Sequence, residues 1–101
     1  MIPRIKEIIK VEPNKIVCLW NTNEIRMIDF TAWVEDALAK PNHVLQKWSN
    51  ANVFLSVVLD KEQENLVWPN LLNMHNLNGT TELAGLDFSP DILYTMSTPA
   101  K

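Results

Sequence analysis

The chain has few of the residues that usually mark chemistry or covalent staples. Cys18 is the only cysteine among 101 residues, which excludes an intrachain disulfide. Its place in an alternating apolar run predicts a core thiol. There are two glycines, so a glycine-rich phosphate cradle is excluded, and no "GxSxG" nucleophile elbow or supported Cys/His pair occurs. No apolar run approaches the ~20 residues needed to span a bilayer, and "MIPRIKEIIK" lacks the long apolar stretch of a signal peptide. A cytoplasmic protein is therefore expected. Basic residues are in deficit, 9 against 12 acidic, for a net charge of -3. That balance gives no overall attraction to nucleic acid or to anionic lipid.

What is present is the make-up of a folded domain. Hydrophobic residues make up 47% of the chain and charged residues 21%, and a chain of this length can hide roughly two-thirds of its unfolded surface in one core. A single domain over residues 1–101 is expected. Its first third reads as a meander. Arg4 to Val11 fits two templates: Ile5, Ile8 and Ile9 make a helix stripe, while Ile5, Ile9 and Val11 make one face of a strand. The β-branched content, and Pro3 and Pro13 at either side, select the strand. "KIVCLW" is a strand with Ile16, Cys18 and Trp20 on one face. "NTNE" predicts a tight turn, since asparagine tolerates a left-handed backbone. Glu24 to Phe30 then returns with Ile25 and Met27 inward and Glu24 and Arg26 outward.

"DFTAWVEDALAKP" predicts a short helix, with Asp29 or Thr31 as cap and Pro41 as terminator. Trp33 and Ala37, or Val34 and Leu38, are its candidate inner face. Ser49 or Asn50 is placed to cap a further turn through Phe54. "LSVVLD" reads as a strand, and Asn65 to Trp68 as its partner, with Pro69 stopping the ladder. Near the C-terminus "DFSPDIL" predicts a helix from Pro90 to Met96, with Ser89 as cap, Pro90 in the first turn and Asp91 complementing the dipole.

Between these elements lies an apolar, asparagine-rich stretch. A featureless connection from Asn70 to Leu86 would be unusually long, and Asn78-Gly79 is a strong signal for a two-residue hairpin turn. Folding there predicts a small hairpin pairing Leu77 with Thr80, Asn76 with Thr81, His75 with Glu82 and Met74 with Leu83.

The segments "IKEIIKVEPNKIVCLWNTNEIRMIDF", "LVWPN" and "LDFSPDILY", taken in order, resemble a small bacterial family known as domain-of-unknown-function family 2442. The similarity covers nearly the whole chain. In typical members the "WPN" runs almost directly into the "LDF-PD-LY" element, so residues 71–85 are expected to be an insertion forming the small hairpin. The resemblance implies an α+β domain, an antiparallel sheet carrying short helices, with no established enzymatic activity. Some relatives carry a helix-turn-helix domain after this one, and others are encoded beside a toxin-like protein and read as antitoxins. Residue 101 ends the present chain without such a DNA-reading part, so direct nucleic-acid binding is not expected.

The expected function is a non-catalytic protein-interaction module, the antitoxin-like or regulatory half of a bacterial pair, with a toxin-like partner or a second copy in a homodimer. The candidate contact residues are Trp68, Asn70, Leu71, Leu72, Met74, His75 and Leu83. The alternative is a small-ligand-binding domain that uses Trp68, Asn70 and the 71–85 segment as one wall of a pocket. No cofactor or metal is expected: His75 and Glu82 lack the third ligand a zinc site needs, and His43 reads as a loop residue. The cations Arg4, Lys6 and Lys10, with Glu7 among them, read as a solvated strand face.

Overall fold

In the computed structural model, residues 2–41, 44–75, 79 and 81–100 are described, with the backbone alone for residue 44 and the segments 70–75 and 81–87. The element order is β1 (Ile5–Glu12), β2 (Lys15–Trp20), β3 (Ile25–Asp29), α1 (Thr31–Leu38), a 3-10 helix (Val44–Ser49), α2 (Ala51–Phe54), β4 (Val58–Asp60), β5 (Asn65–His75), β6 (Thr81–Asp87), α3 (Pro90–Met96) and β7 (Thr98–Pro99). The strands form two antiparallel sheets, ordered β1-β2-β3-β7 and β4-β5-β6. The expected α+β architecture, an N-terminal three-stranded meander plus later strands with short helices, is what the chain adopts. No described helix is long and apolar enough to cross a membrane.

Strand β1 settles its two competing templates in an unforeseen way. Its register against β2 slips between Ile5 and Glu7 and again between Ile8 and Lys10. Each slip inserts one residue, a β-bulge, and a bulge changes which residues share a face. Ile5, Ile8 and Val11 thereby stand opposite Trp20, Cys18 and Ile16. Ile5 is fully buried and Ile8 and Val11 pack against the core, whereas Ile9, the expected inward residue, is 46% exposed. A spacing of three, which looks helical, here belongs to a strand bulged every three residues.

The cations of β1, and Arg4 just before it, are occupied. Lys6 pairs with Glu64, Lys10 Nζ lies 2.7 Å from Glu12 Oε1, and Arg4 Nη1 donates to the Pro3 carbonyl. The turn into β2 uses Pro13 and Asn14, the latter with φ 66°, so proline supplies one fixed dihedral and asparagine the left-handed one.

Strand β3 lies in the opposite phase to the expected one. Trp20 and Glu24 close the hairpin, with Trp20 N donating to Glu24 O at 2.9 Å. The loop therefore has three residues, Asn21 to Asn23, with Asn23 at φ 69°. An odd loop shifts the register by one against a two-residue turn, and in a sheet that exchanges the faces. Arg26 and Ile28 stand opposite Cys18 and Ile16, the inner row of β2. Ile28 is fully buried and Ile25 is 48% exposed.

Phe30 follows at the start of α1, whose Val34 and Ala37 are buried one and two turns later while Leu38 is exposed. Asp29 Oδ1 accepts the Thr31 amide at 2.9 Å. Those contacts with Thr31 hold its carboxyl below the usual range. Asn50 caps α2 by accepting the Asn52 amide at 3.0 Å. Ser89 occupies the cap position of α3 without a side-chain bond to it, and Asp91 lies in the first turn. The 55–57 part of "LSVVLD" is not strand: β4 begins only at Val58.

The core is unusually aromatic. Phe30, Trp48, Phe54 and Trp68 are all buried. Phe30 meets Trp48, Phe54 and Trp68 edge-on at centroid distances of 5.2, 5.7 and 5.8 Å, the geometry that ring quadrupoles favour. Phe88, from the "LDFSPDILY" segment, joins them at 6.1 Å from Trp68. Asn65, itself buried, donates through Nδ2 to the Phe88 carbonyl. The segments that carry the family resemblance thus pack on one another.

Candidate functional site

Trp68 is a core residue. It is 0% exposed, its indole N–H donates to the Phe54 carbonyl at 2.9 Å, and its ring lies 4.6 Å from that of Trp48. A buried, fully partnered indole has no free face with which to meet a protein or hold a ligand. The other candidate contact residues sit together. Asn70, Leu71, Leu72, Met74 and His75 lie on the distal part of β5, and Leu83 lies on β6 opposite Asn73. Their side chains lie outside the described part of the structure.

The backbone of this hairpin corrects two expectations. Pro69 does not end the strand: β5 runs on to His75. Between Trp68↔Leu86 and Leu72↔Ala84, residues 69–71 stand opposite Gly85 alone, so the proline is accommodated in a wide bulge. Proline lacks the amide a regular ladder needs, and a bulge is one of the few places in a sheet where that is tolerated.

The second correction is the register. His75 pairs with Thr81 and Met74 with Glu82, one residue away from the pairing of His75 with Glu82, Met74 with Leu83 and Asn76 with Thr81. As at β2–β3, the connection holds an odd number of residues, five between His75 and Thr81. Gly79 within it has φ 87°, a value that favours glycine. The expected pair Leu77–Thr80 and the turn residue Asn78 lie outside the described residues, as does His43.

Among the described strands, one flank of the hairpin has no strand beside it. In the order β4-β5-β6, the seven-residue β6 is a terminal strand. The other three terminal strands are shielded or short. β1 is bulged twice and lies beside β4, joined to the chain before β5 by the Ile5 amide donating to Glu64 O at 2.8 Å. β4 has three residues and β7 two, one of them Pro99.

A groove opens at the base of the same hairpin. It encloses about 590 Å³ and is lined by Gln46, Ser49, Asn50, Asn52, Ser56 and Pro69, among others. Much of its polar lining is already used within the fold. Gln46 Nε2 donates to the carbonyls of Ala37 and Lys40, Ser49 Oγ to Gln46 O, and Ser56 Oγ to Val53 O, while Asn50 is the α2 cap.

On the other sheet, the misplaced Arg26 heads a polar clamp. Its Nη1 lies 2.9 Å from Glu24 Oε2, its Nε donates to Ser97 Oγ at 2.6 Å, and its Nη2 donates to Ser97 O at 2.8 Å. The guanidinium lies 4.4 Å from the centroid of the Tyr94 ring, a cation–π distance. The Tyr94 hydroxyl donates to Glu24 Oε1, which also accepts from Thr22 Oγ1 at 2.7 Å. The Tyr94 bond is the main cause that lowers the Glu24 carboxyl from its usual range, and Glu24 in turn raises the Tyr94 phenol. The clamp fastens α3 and the chain after it onto β3. Sequence reasoning missed it because Arg26 was placed on the outer face. The signal was the length of the 21–23 loop.

What the fold and the site define is a small α+β scaffold carrying an extended hairpin whose outer strand, β6, has no further strand beside it among the described residues. No family model matches the chain, and no curated protein or solved structure matches it.

Proposed function

We propose that the chain is a non-catalytic protein-interaction module, the antitoxin-like or regulatory partner of a bacterial toxin–antitoxin-type pair, which meets its partner through the β5–β6 hairpin. The family resemblance of "VWPN" and "LDFSPDILY" supplies the biological class. The observation that carries the reading is the seven-residue edge of β6, which no other described strand pairs. Exposed edges of this length expose a row of backbone donors and acceptors, and folded proteins usually blunt them unless they are used.

The test is coexpression with the product of the adjacent gene. A complex should form with the full chain and be lost when residues 71–85 are removed. Undiminished binding by the shortened form would reject the hairpin as the contact, and absence of any complex with a toxin-like neighbour would reject the pairing.

The small-ligand alternative has one observation in its favour. The groove beside Pro69, at about 590 Å³, falls in the size range of ligand pockets, roughly 300–1,000 Å³. Trp68 is not among its walls. A ligand screen read by thermal shift, with Asn52→Ala and Ser49→Ala as controls, tests it.

A further inference from the structure

The interaction reading names the hairpin, and on that reading the pattern of its edge also names an occupant. We infer that β6 pairs antiparallel with β6 of a second copy, joining the two β4-β5-β6 sheets into one six-stranded sheet across a twofold axis. A strand edge is satisfied by another strand, since only a strand returns the same row of amides and carbonyls. A second copy has only one edge suited to this among the described residues. β1 is bulged and lies beside β4, β4 has three residues, and β7 has two with a proline. Among the described strands, the long edge free of bulges that each copy can offer is β6. A contact of like with like is isologous and closes as a dimer, whereas pairing β6 with a different edge would run head-to-tail.

The sequence of the strand, "TELAGLD", agrees with one register. Centred on Ala84, all seven residues overlap. Thr81 then faces Asp87, Glu82 faces Leu86, Leu83 faces Gly85, and Ala84 faces its own copy. No acid stands opposite an acid. A one-residue slip is closed to such a pairing, because it sets residues whose amides and carbonyls point to the partner against residues whose groups point away; the next registers, centred on Leu83 or on Gly85, overlap only five of the seven residues. The small residues Ala84 and Gly85 lie at the middle, where the two backbones meet. No lysine, arginine or proline guards this strand, in contrast to β1 with its Lys6 and Lys10.

The register makes the proposal testable by charge exchange. Light scattering on the full chain should give a dimer. Ala84→Lys alone and Ala84→Glu alone should each give monomers, because each substitution faces itself across the axis, and an equimolar mixture of the two should give the dimer again. Tryptophan emission from the buried Trp20, Trp48 and Trp68 reports that each variant is folded.

A cysteine pair covers the case in which a charge at position 84 unfolds the chain. Ala84→Cys should cross-link rapidly on mild oxidation. Thr81→Cys should not, since in this register the two copies of residue 81 lie about 20 Å apart at ~3.4 Å per residue. A monomeric wild type, a dimer indifferent to both charges, or equal cross-linking of the two cysteine variants would overturn the proposal. A wild-type monomer that still binds the toxin-like neighbour would do so while leaving the interaction reading intact, so the two fail separately.

Discussion

Tyr94 is the only tyrosine in the chain, so its ionisation can be followed directly by tyrosinate absorbance. Glu24 is the largest cause of its raised pKa. The phenol should therefore titrate above the ordinary value of about 10, and Glu24→Gln should bring it back toward that value. The linkage to stability has two arms of definite sign. Glu24, lowered in the fold, contributes stability above its unfolded value of about 4.3 and loses it as pH falls through the lower folded value. Tyr94, raised in the fold, contributes below about 10 and loses it as pH rises through its higher folded value. Unfolding midpoints in urea against pH should fall at both ends, and both falls should shrink in Glu24→Gln. A Tyr94 titration indifferent to that substitution would show that the clamp is not formed in solution. At Cys18 the expectation is silence. Burial pushes its thiol up to about 12, and the side chain is 0% exposed, so at neutral pH it should react with a thiol reagent only as fast as the fold opens. Rapid native-state labelling would contradict the placement of β2.

Among the elements, β1 offers the sharpest contrast between a regular and a bulged strand. With the two bulges, Ile8 faces Cys18 and packs on the core while Ile9 is half-exposed. Ile8→Thr should destabilise by about 1–3 kcal/mol and Ile9→Thr by no more than about 0.5 kcal/mol, as surface positions usually do. A regularly alternating strand requires the reverse order, so urea unfolding of the two variants decides between them. The elements together show what a sequence discloses and what it hides. The inner row of β2, Ile16, Cys18 and Trp20, was legible because the strand is regular and its pattern has period two. Helix α3, from Pro90 to Met96, was legible because proline and aspartate mark its first turn. The faces of β3 and the register of β5–β6 were not. Both depend on whether a loop holds an odd or an even number of residues, and asparagine and glycine permit either. "NTNE" with three loop residues moves Arg26 from the solvent face to the clamp, and the connection around Gly79 moves His75 from Glu82 to Thr81. The candidate contact segment was thus legible as a hairpin, while its partners across the ladder were one residue out. Tryptophan serves surfaces and cores alike, so the sequence leaves Trp68 between a candidate contact and the commoner core reading, and the tertiary fold assigns it to the core.

For the molecule as a whole, the question is whether the distal hairpin belongs to the core or is carried by it. Among the described side chains, Leu66 and Trp68 of β5 and Leu93 of α3 are core residues with Phe88 packed against them, and removal of residues 71–85 keeps all four. Trp68 faces Leu86 across the ladder, just before the wide bulge. Removing residues 71–85 and joining Asn70 to Leu86 through one glycine leaves Trp68 and Leu86 as neighbours across a three-residue loop of proline, asparagine and glycine. That order suits a short hairpin, with proline supplying φ near -65°, asparagine continuing the turn and glycine taking the left-handed position. Shortening the connection changes loop-closure entropy by only about 1 kcal/mol. The shortened chain should therefore unfold cooperatively, with the tryptophan emission of the full protein. It should also be monomeric and unable to bind a partner, because most of β6 has gone with the deletion. Circular dichroism, a urea transition and light scattering on the one variant test all of this together. Loss of the cooperative transition would place the hairpin within the folding unit. A folded shortened chain that keeps the assembly state and partner binding of the full one would move the interaction surface elsewhere, with the exposed Ile92 and half-buried Trp33 of the α1–α3 groove as the next apolar surface to test.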